Sequence, residues 1–328
     1  MDVRIGILGA ARIAPAAVVK PGRAVEGAHV VSVAARDKEK AVLFARKHGI
    51  EKVEASYEDV LADPDVDAIY NPLPNGLHGK WTIAALEAGK HVLCEKPFTA
   101  DAAEAEAVAA AAERTGLVCM EAFHYRYHPV AHRMRELIDN DELGDVRHVE
   151  ASFCFPLTHP NDIRWDPALA GGALMDAGCY AVHMVRLLGG GEPEVVSAKA
   201  KLWRTGVDRA VVADLRFPSG ITARIHTSMF SARVLQISAK AVGSRGELHV
   251  LNPLAPQMGH RLTVRTGHHG RVEHLTRRPT YDFQMEAFVA AVQHGAPILT
   301  GPDDSIATMR VIDAIYRAAG MEPRQPTP

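Results

Sequence analysis

Over the first 120 residues short apolar runs alternate with helix-length segments, and few architectures accept that order. Val3 to Leu8 is mostly apolar and stops at Gly9; Val30 to Ala35, Val66 to Tyr70, Val92 to Cys94 and Leu117 to Met120 repeat the pattern. Runs of this kind read as strands buried on both faces, as in a parallel sheet. Between them lie helical stretches at residues 12–20, 38–48, 57–61, 77–88 and from Thr99 to about Gly116. Asp37 is a candidate N-cap and Gly89 a candidate terminating glycine. The two prolines of Asn71-Pro72-Leu73-Pro74-Asn75 force a loop there. The order predicts an α/β fold, an N-terminal Rossmann doubly wound parallel sheet.

After Glu121 the pattern changes. A helix over 128–140 and an alternating strand over 146–155 precede a helix over 172–188. Strand-like runs follow at 195–202, 210–217, 221–229 and 234–242, and turns such as Pro218-Ser219-Gly220 suggest antiparallel neighbours. Helices over 282–294 and 303–319 close the chain, and Pro323 to Pro328 is expected to fray. This predicts a C-terminal α/β domain with an open, mostly antiparallel sheet, the chain dividing into 1–122 and 123–328. A net charge of −2 leaves no basic field for nucleic acid or an anionic membrane surface. No apolar run is expected to span a bilayer. Four cysteines, at 94, 119, 154 and 179, form no CxxC pair and suit a reduced cytoplasmic protein with no metal centre.

The first strand-to-helix turn, Gly9-Ala10-Ala11-Arg12-Ile13-Ala14, is a departure from the dinucleotide fingerprint, with Ala11 in place of the second glycine. Its setting between strand and helix supports a pyrophosphate site nonetheless. At the end of the second strand NAD sites carry an acid for the ribose; this chain has Arg36-Asp37. Arg36, with Arg12, suits a 2′-phosphate, hence NADP; Asp37 is either an N-cap or, in the NAD alternative, a ribose acceptor.

Two stretches carry the candidate chemistry. Glu95-Lys96-Pro97 follows the fourth of these short strands, at the sheet edge where such folds bind ligands. The stretch from Gly171 to His183 places Asp176, Tyr180 and His183 on one helix face by spacing. Redox at a carbon bearing oxygen needs a general acid/base, and a Tyr with an unperturbed pKa of about 10 needs a nearby cation to act at neutrality. Lys96 beside Tyr180 would provide it. Each residue also has a plainer reading: a surface Glu-Lys, a core Tyr with a satisfied hydroxyl, a helix-face Asp and a packed His183.

With the glycine turn, Glu95-Lys96-Pro97 and the Gly-Gly-x-Leu-x-Asp-x-Gly-x-Tyr run of 171–180 in view, the chain resembles the glucose–fructose oxidoreductase / inositol dehydrogenase / rhizopine-catabolism family of NAD(P)-dependent oxidoreductases. Tyr180 resembles the dihydrodiol and D-xylose dehydrogenase branch, which has Tyr where inositol dehydrogenases have His. The resemblance implies Lys96 and Tyr180 at the hydride-transfer site with Asp176 beside the substrate. It implies cofactor contacts from Gly9, Ala10, Ala11, Arg12, Ile13, Arg36, Pro72, Asn75, His78, Glu95, Lys96, Pro97, Glu121, Arg164 and Trp165, and a cis Lys96–Pro97 bond. The expected cofactor is NADP, with NAD possible. The expected substrate is a carbohydrate, polyol or cyclic diol, with Tyr125, Phe155, Trp165 and Tyr281 as candidate aromatic walls. Family members pair through the outer face of the C-terminal sheet, so a homodimer or homotetramer is expected. A glycosidase-like member that retains NAD and a non-catalytic nicotinamide-binding regulator are the alternatives.

Overall fold

In the computed structural model, residues 2–230 and 235–328 are described. The chain forms two compact units. The first runs to His124 and takes in Tyr281–Ile306; the second comprises Tyr125–Thr280 and Ala307–Thr327. Neither is contiguous, whereas the division at 122/123 expected from sequence is.

The first unit is built on six strands, β1 Val3–Leu8, β2 Ala28–Ala34, β3 Lys52–Val53, β4 Ala68–Asn71, β5 His91–Cys94 and β6 Cys119–Glu121. Their order is β3-β2-β1-β4-β5-β6, all pairs parallel. The strand order reverses between β1 and β4, and loops leave the sheet's C-terminal edge there. Helices begin where side chains satisfy their first amides: Asp37 accepts from Lys40 N, Ser56 from Asp59 N and Asp101 from Glu104 N. The helix expected over 12–20 instead starts at Pro15 and winds as a π-turn, Pro15–Val19, before the α-turn Pro21–Ala24. Proline at the first helical position and again at 21 explains the late start and the break. The short edge strand β3 was not foreseen. Helix Thr280–His294 returns to this unit, where Thr300 holds the end of β6: Glu121 N donates to Thr300 O at 2.9 Å and Thr300 Oγ1 to Glu121 O at 2.7 Å.

The second unit holds an eight-stranded sheet of β7 Val146–Cys154, β8 Glu194–Leu202, β9 Asp208–Arg216, β10 Thr222–Ser228, β11 Gln236–Gly243, β12 Gly246–Leu251, β13 Arg261–Thr266 and β14 His269–Glu273. The order is β14-β13-β12-β11-β7-β10-β9-β8, antiparallel except for the central β7–β10 pair. The expected strand over 234–242 begins one residue outside the described residues at Val234; the described part starts at Gln236. The stretch Pro167–Gly189 is long and apolar enough to cross a membrane, against the sequence expectation, but 89% of that window is buried inside the fold. Its apolarity reflects its place in the core: the helix Cys179–Gly189 is buried nearly throughout. All four cysteines are buried thiols.

Candidate active site

Gly9 ends β1 at φ +98°, a conformation an L side chain adopts only with strain. Its N–H donates to Ala34 O at 2.6 Å, tying the turn to the end of β2. Ala10 and Ala11 are half-buried, while Arg12, Ile13 and Arg36 are exposed along this edge. A residue that sequence reasoning missed stands here: a Cβ at Gly9 would lie 3.9 Å from the Tyr57 hydroxyl. Burial raises the Tyr57 phenol, and hydrogen bonding to the Arg36 backbone and the Arg36 charge oppose the rise. Tyr57 opens the helix Tyr57–Ala62, which follows β3, and nothing in its local sequence points back to the glycine turn. Asp37 is occupied as the cap of the helix Lys38–His48, with Lys40 Nζ 3.3 Å away. That is the plainer of its two sequence readings.

At the end of β4 and β5 the loops are locked by a buried histidine. His78 Nδ1 lies 2.7 Å from Pro97 O and Nε2 2.7 Å from Leu73 O. Burial drives the ring toward its neutral form, with a pKa of about 4, while the two carbonyls favour the doubly protonated one. Both ring nitrogens face backbone, so the ring holds the loops together and leaves no nitrogen turned to a ligand. Asn71 assists from the buried end of β4, donating to His78 O and Thr82 Oγ1, each at 3.1 Å. Pro72 and Asn75 are half-buried on this loop. The Lys96–Pro97 bond is cis. Glu95 is buried, and its Oε1 accepts from Tyr70 OH at 2.7 Å. Lys96 is half-buried, and Glu121 is fully buried at the end of β6. From the returning helix, Tyr281 packs at a tilt against His124 with ring centroids 4.2 Å apart, and burial, then the Glu95 charge, push its phenol up.

In the second unit the candidate helix opens as a π-turn, Leu174–Gly178, and continues as the α-helix Cys179–Gly189. The wider turn breaks the even 3.6-residue spacing from which the sequence placed Asp176, Tyr180 and His183 on one face. Asp176 pairs with Arg164, Nε to Oδ2 at 2.9 Å. Tyr180 and His183 share a different neighbour, the buried Tyr125: its ring meets Tyr180 edge-on at 6.0 Å, and its hydroxyl lies 2.5 Å from His183 Nδ1. His183 is therefore packed and hydrogen-bonded. Trp165, expected near the nicotinamide, is buried; its Nε1 donates to His159 O at 3.1 Å and its ring stacks on Trp203 at 4.7 Å. Tyr125 and Trp165 are packing residues before they are walls. Among the described residues no cluster of His, Cys, Asp and Glu is arranged to hold a metal.

Two family profiles match the chain: residues 3–123 the "Oxidoreductase family, NAD-binding Rossmann fold", and residues 131–249 the "GFO/IDH/MocA C-terminal domain". The chain belongs to the GFO/IDH/MocA oxidoreductase family. It is similar, at 40% identity across 96% of both chains, to D-xylose 1-dehydrogenase (NADP(+)) 2 of Haloferax volcanii. It is 37% identical to trans-1,2-dihydrobenzene-1,2-diol dehydrogenase of Sus scrofa over 68% of this chain and 66% of that one. Among solved structures, a 3-ketoreductase from Actinomadura kijaniata in complex with NADP and TDP-benzene superposes with a TM-score of 0.91 at 31% identity, covering 97% of this chain and 98% of that one. The GFO/IDH/MocA assignment makes the protein an oxidoreductase with a nicotinamide dinucleotide as cofactor. The residues present fit that group: Gly9 at positive φ ends the first strand at the sheet's switch point, and the segment after it starts without a side-chain cap.

Proposed function

We propose that this protein is an NADP-dependent dehydrogenase that moves a hydride between the nicotinamide and an oxygen-bearing carbon of a sugar, polyol or cyclic diol. The observation that carries the reading is Glu95-Lys96-Pro97, held at the C-terminal edge of a parallel sheet whose first turn fits a dinucleotide. Exposed Arg36 at the end of β2, in place of the ribose-binding acid, supports the 2′-phosphate form. So do the relatives named for NADP or solved with it, and their names supply the sugar and diol classes.

The dinucleotide, when bound, supplies or accepts the hydride. Charge then develops on the substrate oxygen and must be neutralised. We assign that proton transfer to Tyr180 Oη and its electrostatic support to Lys96 Nζ. Asp176, oriented by Arg164, accepts from a substrate hydroxyl. Glu95 stays fixed by Tyr70, and His78 ties the backbone just after Lys96, at Pro97, to the loop at Leu73. We also assign cofactor contacts to Gly9 through Ile13, Arg36, Pro72, Asn75, Glu121, Arg164 and Trp165. We further propose a homodimer formed through the outer face of the C-terminal sheet.

The test is a screen of aldoses, polyols and cyclic diols with NADP and NAD, read at the nicotinamide absorbance, with Lys96→Ala as the control. Turnover with NADP that Lys96→Ala abolishes supports the reading. Cofactor binding without turnover on any of these classes rejects it.

A further inference from the structure

The proline-rich end of the chain, expected to fray, is tied into the second unit. The Arg324 side chain is only 10% exposed, and its Nη2 donates to Asp208 Oδ1 at 2.6 Å. Its guanidinium lies 4.7 Å from the centre of the Tyr316 ring, whose hydroxyl donates to the same Oδ1 at 3.0 Å. Three residues on, Thr327 Oγ1 donates to Ala168 O at 2.7 Å. Asp208 has no exposed surface, and its second oxygen, Oδ2, accepts from Leu174 N at 2.6 Å.

Leu174 is the first residue of the helix that carries Asp176 and Tyr180, and the residue before it, Ala173, has no side chain to cap it. A carboxylate from the start of β9, 34 positions away in sequence, supplies the missing cap. The turn beside it is built around that carboxylate: Gly172 sits at φ +137°, and a Cβ there would overlap Asp208 Oδ1. Gly172 N donates to Arg164 O at 2.9 Å and Gly171 N to Asp166 O at 3.0 Å. The same turn thus fixes the loop from which Arg164 reaches Asp176.

We propose that Arg324 is a positioning residue: through Asp208 it sets the N-terminus of the Asp176–Tyr180 helix, making the C-terminal tail part of the active-site scaffold. The proposal rests on the roles assigned above to Tyr180 and Asp176. A carboxylate buried this fully keeps its charge only beside a cation. Burial pushes the Asp208 carboxyl up, and Arg324 opposes the rise. Without Arg324 the carboxyl takes up a proton or draws in water, and it loses its charge-assisted grip on Leu174 N and the helix dipole. A tail that served only as an anchor would lower stability and leave the helix start unchanged in the folded protein.

The experiment compares full-length Arg324→Ala, Arg324→Lys and Tyr180→Phe with the parent. It measures amide exchange over 172–178, NADPH affinity, and kcat and KM for D-xylose with NADP. In Arg324→Ala the amides of 172–178 should exchange roughly tenfold faster while those of β1 to β6 stay as they were. Its kcat should fall about tenfold or more, with NADPH affinity and KM little changed, and Arg324→Lys should recover part of both losses. Folded Arg324→Ala with local exchange and kcat within about twofold of the parent would overturn the proposal, as would faster exchange spread evenly over the second unit. Should Arg324→Ala not fold, Arg324→Gln, which keeps an N–H donor without the charge, is judged by the same limits. If Tyr180→Phe keeps full kcat, the assignment of Tyr180 is wrong, and the exchange result still decides the role of Arg324.

Discussion

Arg36 and Tyr180 carry the two residue-scale expectations. Arg36 is exposed at the end of β2 beside the Tyr57 hydroxyl. Replacing it with Ala should weaken NADP binding by about 10- to 100-fold, the worth of one charge-assisted hydrogen bond, and leave NAD affinity nearly unchanged. Fluorescence titration with both cofactors measures this, and equal losses would exclude a 2′-phosphate contact. Tyr180→Phe should lower kcat by roughly 10² to 10⁴ with cofactor affinity intact, the span for losing general acid–base catalysis. His183→Asn is the control. His183 is tied to the Tyr125 hydroxyl, so its loss should appear as a lower Tm and not as lost turnover. The reverse result would make His183 the base. At this scale the sequence named Lys96, Asp176, Tyr180 and Arg36 from motif and spacing. It had no means to see Tyr57, Asp208 or Arg324, because each owes its place to a partner far away in the chain.

Caps and turns decide the elements. Asp101 begins the helix Ala102–Thr115 by accepting from Glu104 N, and Glu104 Oε2 returns to accept from Ala100 N at 2.8 Å. Each half of this box was open to sequence reading, since cap chemistry is local. Burial was not: it pushes the Glu104 carboxyl up to about 7 from its ordinary 4.5. A carboxyl whose pKa is raised by folding favours the folded state below about pH 4.5, and that contribution is lost as pH rises through about 7. Thermal melts should therefore show a stability loss across this window that Glu104→Gln removes, since Gln keeps the acceptor for Ala100 N without the charge. A parallel pH dependence in the variant would place the titrating group elsewhere. The two π-turns, Pro15–Val19 and Leu174–Gly178, were likewise hidden. A 3.6-residue pattern cannot announce the extra residue that packing inserts.

At the scale of the whole molecule, the outer sheet face poses the question of assembly. Lys199, Lys201, Arg209, Arg224, His226 and Phe230 line a cavity of about 910 Å³ there. On β8 the Ala198 and Ala200 side is half-buried while Lys199 and Lys201 are exposed, which resolves which face of that strand turns outward. A dimer using this face should sediment as such at micromolar concentration, and a charge reversal at Lys199 and Lys201 should weaken it. Monomer alone at that concentration would remove the proposal. The sequence by itself determined the parallel sheet, the mostly antiparallel sheet, the helix cap at Asp37, and the motif residues at both candidate half-sites. These follow from periodicity, turn chemistry and short spacings, all of which act within a few residues. Only the tertiary structure decided that Tyr281–Ile306 rejoins the first unit, that His78 clamps two loops, and that the chain's last residues cap its central helix through Asp208. Those contacts include pairs 116 and 179 positions apart, and no local pattern encodes which distant carboxylate a bare helix end will meet.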